Sequence, residues 1–362
     1  MAGADAKIVF GRLYFAQLQA VQSVTTMDGI TKSAPMWEVL ADRTGRSWGF
    51  NYRVTAVGDD FQTDNGFVPR TGYVEPQVMN RFTVYGRQGG VFERYNVFIQ
   101  TRGLWRYDDF FAGRSLLENR FSLNNSVTLR GGWSIGFSPA IGTFAFDADD
   151  YANLWNASAG DPDAQPFDPS DRITTAGSGF SVSTPQYQRF SASAGASVGN
   201  DVDFLETSRV RRRDYNASVN LRPSDRLRVQ ATYASTSLRR RSDGSQTLST
   251  RIPRLRLEYQ IARPIFVRVV SQYESVARAA LRDPRTGEIL YVGAEPGSVA
   301  LSEARASNAL RADWLFSYRP SPGAVFFAGY GNTLAEPGAL AFRDLTRTND
   351  AFFLKASYVF GL

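Results

Sequence analysis

The stretch RADWLFSYRPSPGAVFFAGYG, residues 311–331, alternates apolar and polar side chains on both sides of a turn. One face of the extended chain carries Ala312, Trp314, Phe316 and Tyr318, and the other carries Arg311, Asp313 and Ser317. After the Pro-Ser-Pro-Gly turn at 320–323, the alternation resumes with Phe326, Ala328 and Tyr330. Because side chains alternate with a period of two only in strands, this stretch predicts a β-hairpin with one aromatic face.

The same period runs through most of the chain. It is clear in RSWGFNYRVTAVG (46–58), YNASVNLRPSDRLRVQATYAS (215–235) and RLRLEYQIARPIFVRVVSQYES (254–275). No comparable stretch has the 3.6-residue period of an amphipathic helix. Short turns fall near 43–46, 87–90, 130–132, 183–187, 222–225, 262–264 and 320–323, and longer loops near 24–33, 58–77, 106–114, 141–170, 204–211, 239–247, 277–304 and 333–349. This spacing predicts about sixteen strands.

Short turns that alternate with long loops, around strands of about ten residues, are typical of a transmembrane β-barrel. We therefore predict an all-β protein: one closed antiparallel barrel over residues 1–362, with short periplasmic turns and long extracellular loops. An aromatic face toward lipid and a polar face toward the lumen explain a mean hydropathy of only −0.28. Lipid cannot satisfy an open sheet edge, so the sheet must close. The alternative is a soluble sandwich, which would expose many aromatic side chains.

Composition excludes several classes of protein. No apolar run approaches the ~18 residues of a membrane-spanning helix. Histidine and cysteine are absent, which removes histidine bases, cysteine nucleophiles, disulfides and most zinc sites, so we predict no enzyme. The net charge of +6 comes from arginines scattered through alternating segments, which does not favour nucleic acid as a partner. The first residues lack the pattern of a signal peptide.

The closing segment AFFLKASYVFGL, residues 351–362, also alternates. It resembles the last strand of bacterial outer-membrane barrels, in which a C-terminal aromatic is the signal read by the barrel assembly machinery. Tyr358 and Phe360 are the candidates for this signal. We therefore expect an integral protein of the bacterial outer membrane with both termini periplasmic.

Three loops raise the question of a metal ion. DDFQTDNGFVPRTGY (59–73), FDADDY (146–151) and DPDAQPFDPSD (161–171) are rich in oxygen ligands, but none has the full spacing of a calcium loop. Asp, Asn, Gly and Pro are also ordinary turn residues. We predict no cofactor, with Ca²⁺ on the acidic loops as the open alternative.

Charged residues on the polar face are the other candidates for function. The alternation directs Arg228, Arg254, Arg256, Glu258, Arg268, Glu274, Arg311 and Asp313 toward the lumen. They are expected to form either a static salt-bridged network or a constriction that favours anions. Two basic runs, RVRRRDY from Arg209 and RRRSDG from Arg239, are expected either to hold lipopolysaccharide phosphates or an acidic glycan, or to form a charged rim.

Several of these stretches together resemble one family, the outer-membrane β-barrel domain of unknown function that follows a carbohydrate-binding family 9-like domain in Gram-negative bacteria. The resemblance lies in residues 46–73, in the hairpins at 221–233, 253–275 and 310–332, and in the closing strand 347–360. Its loop motif is carried by Asp60, Phe61, Asp64, Gly66, Phe67, Pro69 and Arg70. The resemblance implies an outer-membrane location and a link to carbohydrate, through an N-terminal domain that this sequence does not include.

The sequence thus leaves three functions open. The first is a pore or translocation module, for which the family resemblance implies glycans delivered by a periplasmic carbohydrate-binding domain. The second is a plugged receptor or anchor in the outer membrane whose loops bind a ligand. The third and weakest is a membrane-embedded hydrolase with a carboxylate pair, which spacing alone leaves open.

Overall fold

A computed structural model describes residues 1–63, 66–157, 164–295 and 298–359, and their regular secondary structure is almost entirely β-strand. The first half has the strands β1 Ala2–Phe10, β2 Tyr14–Met27, β3 Ile30–Thr44, β4 Trp48–Val57, β5 Tyr73–Tyr85, β6 Phe92–Arg106, β7 Glu118–Leu129, β8 Ser134–Ala145 and β9 Leu154–Trp155. The second has β10 Arg172–Ser183, β11 Phe190–Asp203, β12 Ser208–Ser224, β13 Leu227–Arg240, β14 Gln246–Ala262, β15 Ile265–Arg278, β16 Tyr291–Val292, β17 Ala300–Leu301, β18 Arg305–Ser321, β19 Ala324–Ala335 and β20 Thr346–Tyr358. One short helix, α1 Tyr107–Phe111, and a 3₁₀ turn at Ala148–Tyr151 lie in loops.

The long strands pair antiparallel with their neighbours in sequence, as in β2–β3, β12–β13 and β18–β19. Seventeen strands belong to a large sheet, and β9, β16 and β17 form a small one. The chain divides into unit 1 (1–130, 136–150 and 168–178) and unit 2 (131–135, 151–167 and 179–362). The prediction of an all-β, antiparallel fold is confirmed, and that of one domain over 1–362 stays a prediction.

The predicted count of sixteen strands is wrong, since the described residues contain twenty. Three of the additional strands are the two-residue segments β9, β16 and β17, which are too short for any periodicity. The fourth is β1, which pairs with β2 from Ala2–Gln22 to Phe10–Tyr14. Gly11 and Arg12, both with φ near +58°, form the tight turn between them. The first residue of β1 therefore lies at the same end of unit 1 as the β2–β3 turn.

The loop predicted at 24–33 is a two-residue turn instead. Ladder pairs extend to Met27–Ile30, leaving only Asp28 and Gly29 in the turn. Both have positive φ, 51° and 79°, which is the conformation of an Asp-Gly hairpin turn. The loops predicted at 204–211 and 239–247 also shorten, to 204–207 and 241–245. The predicted loops were too long because polar residues at the ends of these strands were assigned to the loops.

In unit 1, one face of the sheet is aromatic and aliphatic. Tyr52 on β4 lies opposite Ala41 on β3 and Val78 on β5, so the three share a face. At the short-turn end of that face, the Phe50 ring stacks on Tyr52 with 4.5 Å between centroids. Lys7, Glu38 and Arg53 lie on the other face.

Unit 2 has the same division. Its apolar face includes Tyr233 on β13. It also includes the row Leu257, Val269, Trp314 and Tyr330, in which each residue lies directly opposite the next from β14 to β19. Many of these side chains are exposed on the outside of the sheet; Trp314, for example, has 43% of its surface exposed. Large side chains packed into a buried centre are few in the described residues. Among the described residues, no helix is long and apolar enough to cross a membrane.

Candidate functional site: an arginine-rich face and a loop cap

The eight charged residues predicted on one face lie on one face of unit 2, opposite its aromatic side chains. In the strand ladders, Arg228 lies directly opposite Glu258, Glu258 opposite Arg268, and Arg268 opposite Leu315, so these four positions form a row across four strands. The next row contains Arg256, Val270 and Asp313. Arg254, Gln272 and Arg311 form the third row, and Glu274 continues β15 beyond it. We call this surface the polar face of unit 2.

Carboxylates neutralise only part of this arginine set. The Arg256 guanidinium bonds Glu258, with Nε 3.2 Å from Oε1. Arg311 Nε lies 3.3 Å from Asp313 Oδ2. Arg228, Arg254 and Arg268 have no ion-pair or hydrogen-bond partner within the part of the chain that the structure describes. The face therefore carries free guanidinium groups, and a fully paired static network is not what the geometry shows.

Among the cavities that open on this polar face are two large ones. One, of about 530 Å³, is lined by Arg254, Arg256, Arg268, Arg311 and Asp313, together with Asn332 and Asn349. The other, of about 560 Å³, lies nearer the 225–226 turn. Its polar lining is Gln186, Gln188, Asn220, Arg222, Arg228, Gln230, Arg256 and Glu258. Arg256 borders both cavities, so guanidinium groups run from the middle of the strands to their turn ends.

Two glycines on β19 leave space for neighbouring side chains of the polar face. Gly331 is paired with Asp313, and a Cβ at position 331 would overlap the Asp313 carboxylate. Gly329 is paired with Phe353, and its missing side chain leaves space for the Phe353 ring. Glycine opposite an aromatic residue is a known way to fix strand register. The Gly-Tyr-Gly segment at 329–331 thus keeps the polar face open beside Arg311.

The side chains of this face are chemically suited to anions. A guanidinium group pairs with carboxylate, phosphate or sulfate through two parallel hydrogen bonds, and it stays charged at any physiological pH. Amide side chains beside it, such as Gln230 and Asn332, add neutral donors and acceptors. In a water-filled passage, rings of arginine favour anions over cations.

Unit 1 has a similar excess of arginine on its polar face. Arg102 on β6 lies directly opposite Arg120 on β7. No acidic side chain in the described residues pairs with either. Like charges directly opposite each other destabilise a sheet unless an anion or water screens them. Sequence reasoning did not single out this pair, although the period of two places both residues on the polar side.

A folded loop assembly lies at the loop end of unit 2. We call the described residues 151–157, 164–167, 279–295 and 298–304 the cap. Strand β16 pairs with both β9 and β17, and Leu154, Phe167 and Leu290 form a buried cluster beside them. Trp155 Nε1 donates to Gly293 O at 3.1 Å, and the Tyr151 hydroxyl to Phe204 O at 2.8 Å.

A buried ion pair anchors the cap to the polar face, and a second pair joins the ends of β11 and β15 beside it. Glu206 and Arg240 are 1% and 7% exposed and form a two-point pair, with Arg240 Nε 2.9 Å from Oε2. Arg240 also donates to Ala280 O at 2.9 Å, and Arg282 N to Glu206 Oε1 at 3.1 Å. Asp203, 1% exposed, pairs with Arg278. Sequence analysis did not predict these two pairs because their members lie 34 and 75 positions apart in the chain. Arg240 does belong to the basic run RRRSDG.

The turn beside this anchor contains a carboxylate with a shifted pKa. The Ser245 hydroxyl and backbone N–H both donate to Asp243 Oδ1, at 2.6 and 2.8 Å. These hydrogen bonds, helped by the nearby Arg240 and Arg282, hold the pKa of Asp243 below its ordinary value.

The described residues of the loop motif have different surroundings. Asp60 pairs with Lys32 at 2.7 Å, Arg70 pairs with Glu118 at 3.1 Å, and Phe67 is exposed. Phe61 is 5% exposed and packs with Ala34 and Val57. Gly66 and Pro69 are exposed, and Asp64 lies outside the described residues. The motif thus fastens the loop to neighbouring strands.

The remaining predictions concern metal ions and the C-terminus. Among the described residues, no three acidic side chains lie close enough together to hold a metal ion. Asp147, in the second acidic loop, is bonded to Arg106. Residues 161–163 of the third loop lie outside the described residues. Tyr358 ends β20 and is exposed, whereas Phe360 also lies outside them.

Comparison with known proteins gives a likeness of fold only. No family model matches the chain, and no curated protein sequence matches it. It is similar to OmpT, an outer membrane protein of Vibrio cholerae in its trimer form, with 12% identity over 99% of both chains and a TM-score of 0.38. It is also similar to the ferric enterobactin receptor PfeA of Pseudomonas aeruginosa (10% identity, 97% of this chain, 60% of that chain, TM-score 0.42). A third is an anion-selective porin from Comamonas acidovorans (9% identity, 98% and 95% covered, TM-score 0.30).

Proposed function

We propose that the protein is a closed β-barrel of the bacterial outer membrane that passes anionic solutes along its polar face. The observation that supports this most directly is a set of five arginines on the polar face of unit 2, of which Arg228, Arg254 and Arg268 have no carboxylate partner among the described residues. The opposite face is exposed and aromatic, as the lipid side of a barrel requires.

Closure of the sheet is part of the proposal. Strands β1 and β20 are exposed along their whole length. A strand at the edge of a sheet carries a row of backbone groups without partners, and in lipid each such group costs several kcal/mol. A membrane therefore gives these edges a strong reason to be paired, and a barrel with its lumen on the polar face pairs them.

Planar-bilayer recording of the refolded protein tests the pore. We expect discrete conductance steps and a reversal potential that shows anion preference across a salt gradient. Replacement of Arg254, Arg256 and Arg268 by alanine removes charge from the 530 Å³ cavity and should shift the reversal potential toward cations. Arg213→Ala is the matched control, since Arg213 pairs with Val198 and Ser237 on the apolar face.

Two results would contradict the pore. One is the absence of steps from protein whose heat-modifiable migration shows a folded barrel. The other is an equal effect of Arg213→Ala and the triple variant on selectivity, which would mean that the polar face does not line the path.

A second function, a capped receptor, is favoured by the folded cap. A loop assembly with its own three-stranded sheet and its own apolar cluster, held by the buried Glu206–Arg240 pair, is a costly structure for a simple porin rim. In this case the bore is filled until a ligand displaces the cap. Conductance that is silent in the native chain and appears in Glu206→Ala/Arg240→Ala would favour the receptor. The links to glycans and to a periplasmic domain stay expectations of the family resemblance.

A further inference from the structure

The apolar face of unit 2 changes character at its loop end, where arginines replace aromatic residues. Arg211 and Arg213 continue the row of Tyr215 on β12, and Arg239 on β13 lies directly opposite Arg211. Arg251 on β14 lies opposite Ser235, which is itself opposite Tyr215. We call Arg211, Arg213, Arg239 and Arg251 the outer arginine cluster. Neighbouring strands lie about 4.8 Å apart, so these four side chains belong to one patch of the apolar face.

The residue between two of these arginines shows that the orientation matters. Arg212 points to the polar face and bonds two carboxylates there, Asp201 at 2.9 Å and Asp214 at 2.8 Å. Arg211, Arg213 and Arg251 have no ion pair within the described chain, and Arg239 bonds only Gly244 O at 3.2 Å. The fold thus supplies carboxylates to the arginine on one side and leaves those on the other side uncompensated.

Such a pairing is unfavourable without a counter-ion. Arg211 and Arg239 are directly opposed like charges, which destabilise an antiparallel pair. An anion bound between them removes the repulsion and gains charge-assisted hydrogen bonds to both. The serines that share the patch, Ser235, Ser237 and Ser249, add hydroxyl groups that suit sugar and phosphate oxygens.

The surroundings indicate which anion binds. The next residues along this face are Tyr215 and Tyr233, 49% and 39% exposed, followed by Leu255 at 41%. A ligand on this patch therefore meets charge at the loop end and an apolar, aromatic surface below it. A free phosphate has nothing to place on that surface, whereas an amphiphile has acyl chains. In unit 1, the loop end of the apolar face on β2 to β5 carries the uncharged residues Val24, Ser33, Ala56 and Val74 instead.

We infer that the outer arginine cluster binds the phosphorylated headgroup of a glycolipid in the outer leaflet, with the acyl chains against Tyr215, Tyr233 and Leu255. This inference rests on the proposed outer-membrane barrel, but it does not require an open pore. The phosphates lie between Arg211, Arg239 and Arg213, and the sugars reach the serine hydroxyls. Binding also holds the protein at a fixed depth, because the arginines mark the level of the headgroups.

The test uses the full chain, refolded into phospholipid nanodiscs that contain bisphosphorylated lipid A. Retained lipid A is measured by native mass spectrometry for the native chain and for Arg211→Ala/Arg213→Ala/Arg239→Ala. We expect retention to fall by about a hundredfold, since each basic residue near an anionic surface contributes roughly a factor of five. The matched control, Arg254→Ala/Arg256→Ala/Arg268→Ala, removes the same charge from the other face and should retain lipid A as the native chain does.

The ligand arms separate the sources of the anion. Dephosphorylated lipid A should be retained weakly, phosphatidylglycerol should not replace bisphosphorylated lipid A, and inorganic phosphate at millimolar concentration should not displace it. Equal retention by the two triple variants, equal binding of the dephosphorylated lipid, or displacement by inorganic phosphate would each overturn the inference. A chain that retains lipid A but never conducts would reject the pore alone, and a chain that does not fold in bilayers would reject both.

Discussion

At the scale of single residues, the polar face predicts opposite effects from opposite charges. Asp313 lies 3.3 Å from Arg311 and lines the same cavity as Arg254. Asp313→Asn removes the carboxylate and frees Arg311, so the reversal potential should move further toward anion selectivity. Arg254→Ala should move it the other way, because an unpaired guanidinium is lost. The same direction of shift from both substitutions would contradict a passage lined by this face.

Asp243 offers a second test at this scale, in a turn outside the strands. Its pKa lies below the ordinary carboxyl value because the Ser245 hydroxyl and backbone N–H donate to it. A depressed folded-state pKa means that the stabilisation is complete above the ordinary value, near pH 4, and is lost as the pH falls through the folded one.

Ser245→Ala removes the hydroxyl donor and should raise the pKa of Asp243 toward its ordinary value. Titration of carboxyl-¹³C-labelled aspartate by NMR measures the change. Ser242→Ala, in the same turn, is the control and should leave the titration unchanged. A native Asp243 that already titrates at the ordinary value would contradict the hydrogen-bond geometry.

At the scale of elements, the Glu206–Arg240 pair determines whether the cap stays in place. Glu206→Gln leaves a guanidinium that is 7% exposed without its carboxylate, and breaking a buried pair in this way costs about 3 kcal/mol or more. Since both residues also hold the backbone at 280–282, we expect a lower unfolding midpoint and faster tryptic cleavage at Arg282 and Arg285.

The control for this change is an exposed ion pair. Asp350 pairs with Arg347 at 3.5 Å, with half or more of each side chain exposed. Asp350→Asn should cost at most about 1 kcal/mol, as is usual for surface pairs. A similar cost for the two carboxylate-to-amide substitutions, or unchanged cleavage in Glu206→Gln, would mean that the cap does not depend on this anchor.

The sequence could predict those elements in which every residue repeats the same signal. In β14, Arg254 and Arg256 lie on the face that a period of two assigns to them, since a shift of one residue would turn Leu255 to the wrong side. In β1, Ala2, Ala4 and Ala6 alternate with Gly3 and Asp5, but alanine and glycine differ too little for the pattern to stand out. The cap could not be predicted from the sequence, because its strands have only two residues each and show no periodicity. The Glu206–Arg240 pair could not be predicted either, because it forms only when the folded chain brings the two residues together.

At the scale of the whole molecule, the decisive question is which face meets lipid. Ala231 and Thr232 are adjacent near the middle of β13, and their side chains point to opposite faces. Ala231 lies opposite Val219 and Leu255 on the apolar face, and Thr232 lies opposite Ser218 and Arg254 on the polar face. The two positions share the backbone, the strand and the distance from both ends, so they isolate the effect of the face.

An arginine at 231 and one at 232 should therefore have very different costs. On the lipid side of a barrel, arginine near the bilayer midplane costs about 2–4 kcal/mol, because no water or partner solvates it. Ala231→Arg should lower the free energy of unfolding in phospholipid vesicles by this amount, measured by urea titration of tryptophan emission. Thr232→Arg should cost less, about 1 kcal/mol or below, because only repulsion from the directly opposed Arg254 acts against it, and it should strengthen anion preference. The reverse order of stability would place lipid on the arginine-rich face, and it would remove the physical basis of both the passage and the outer arginine cluster.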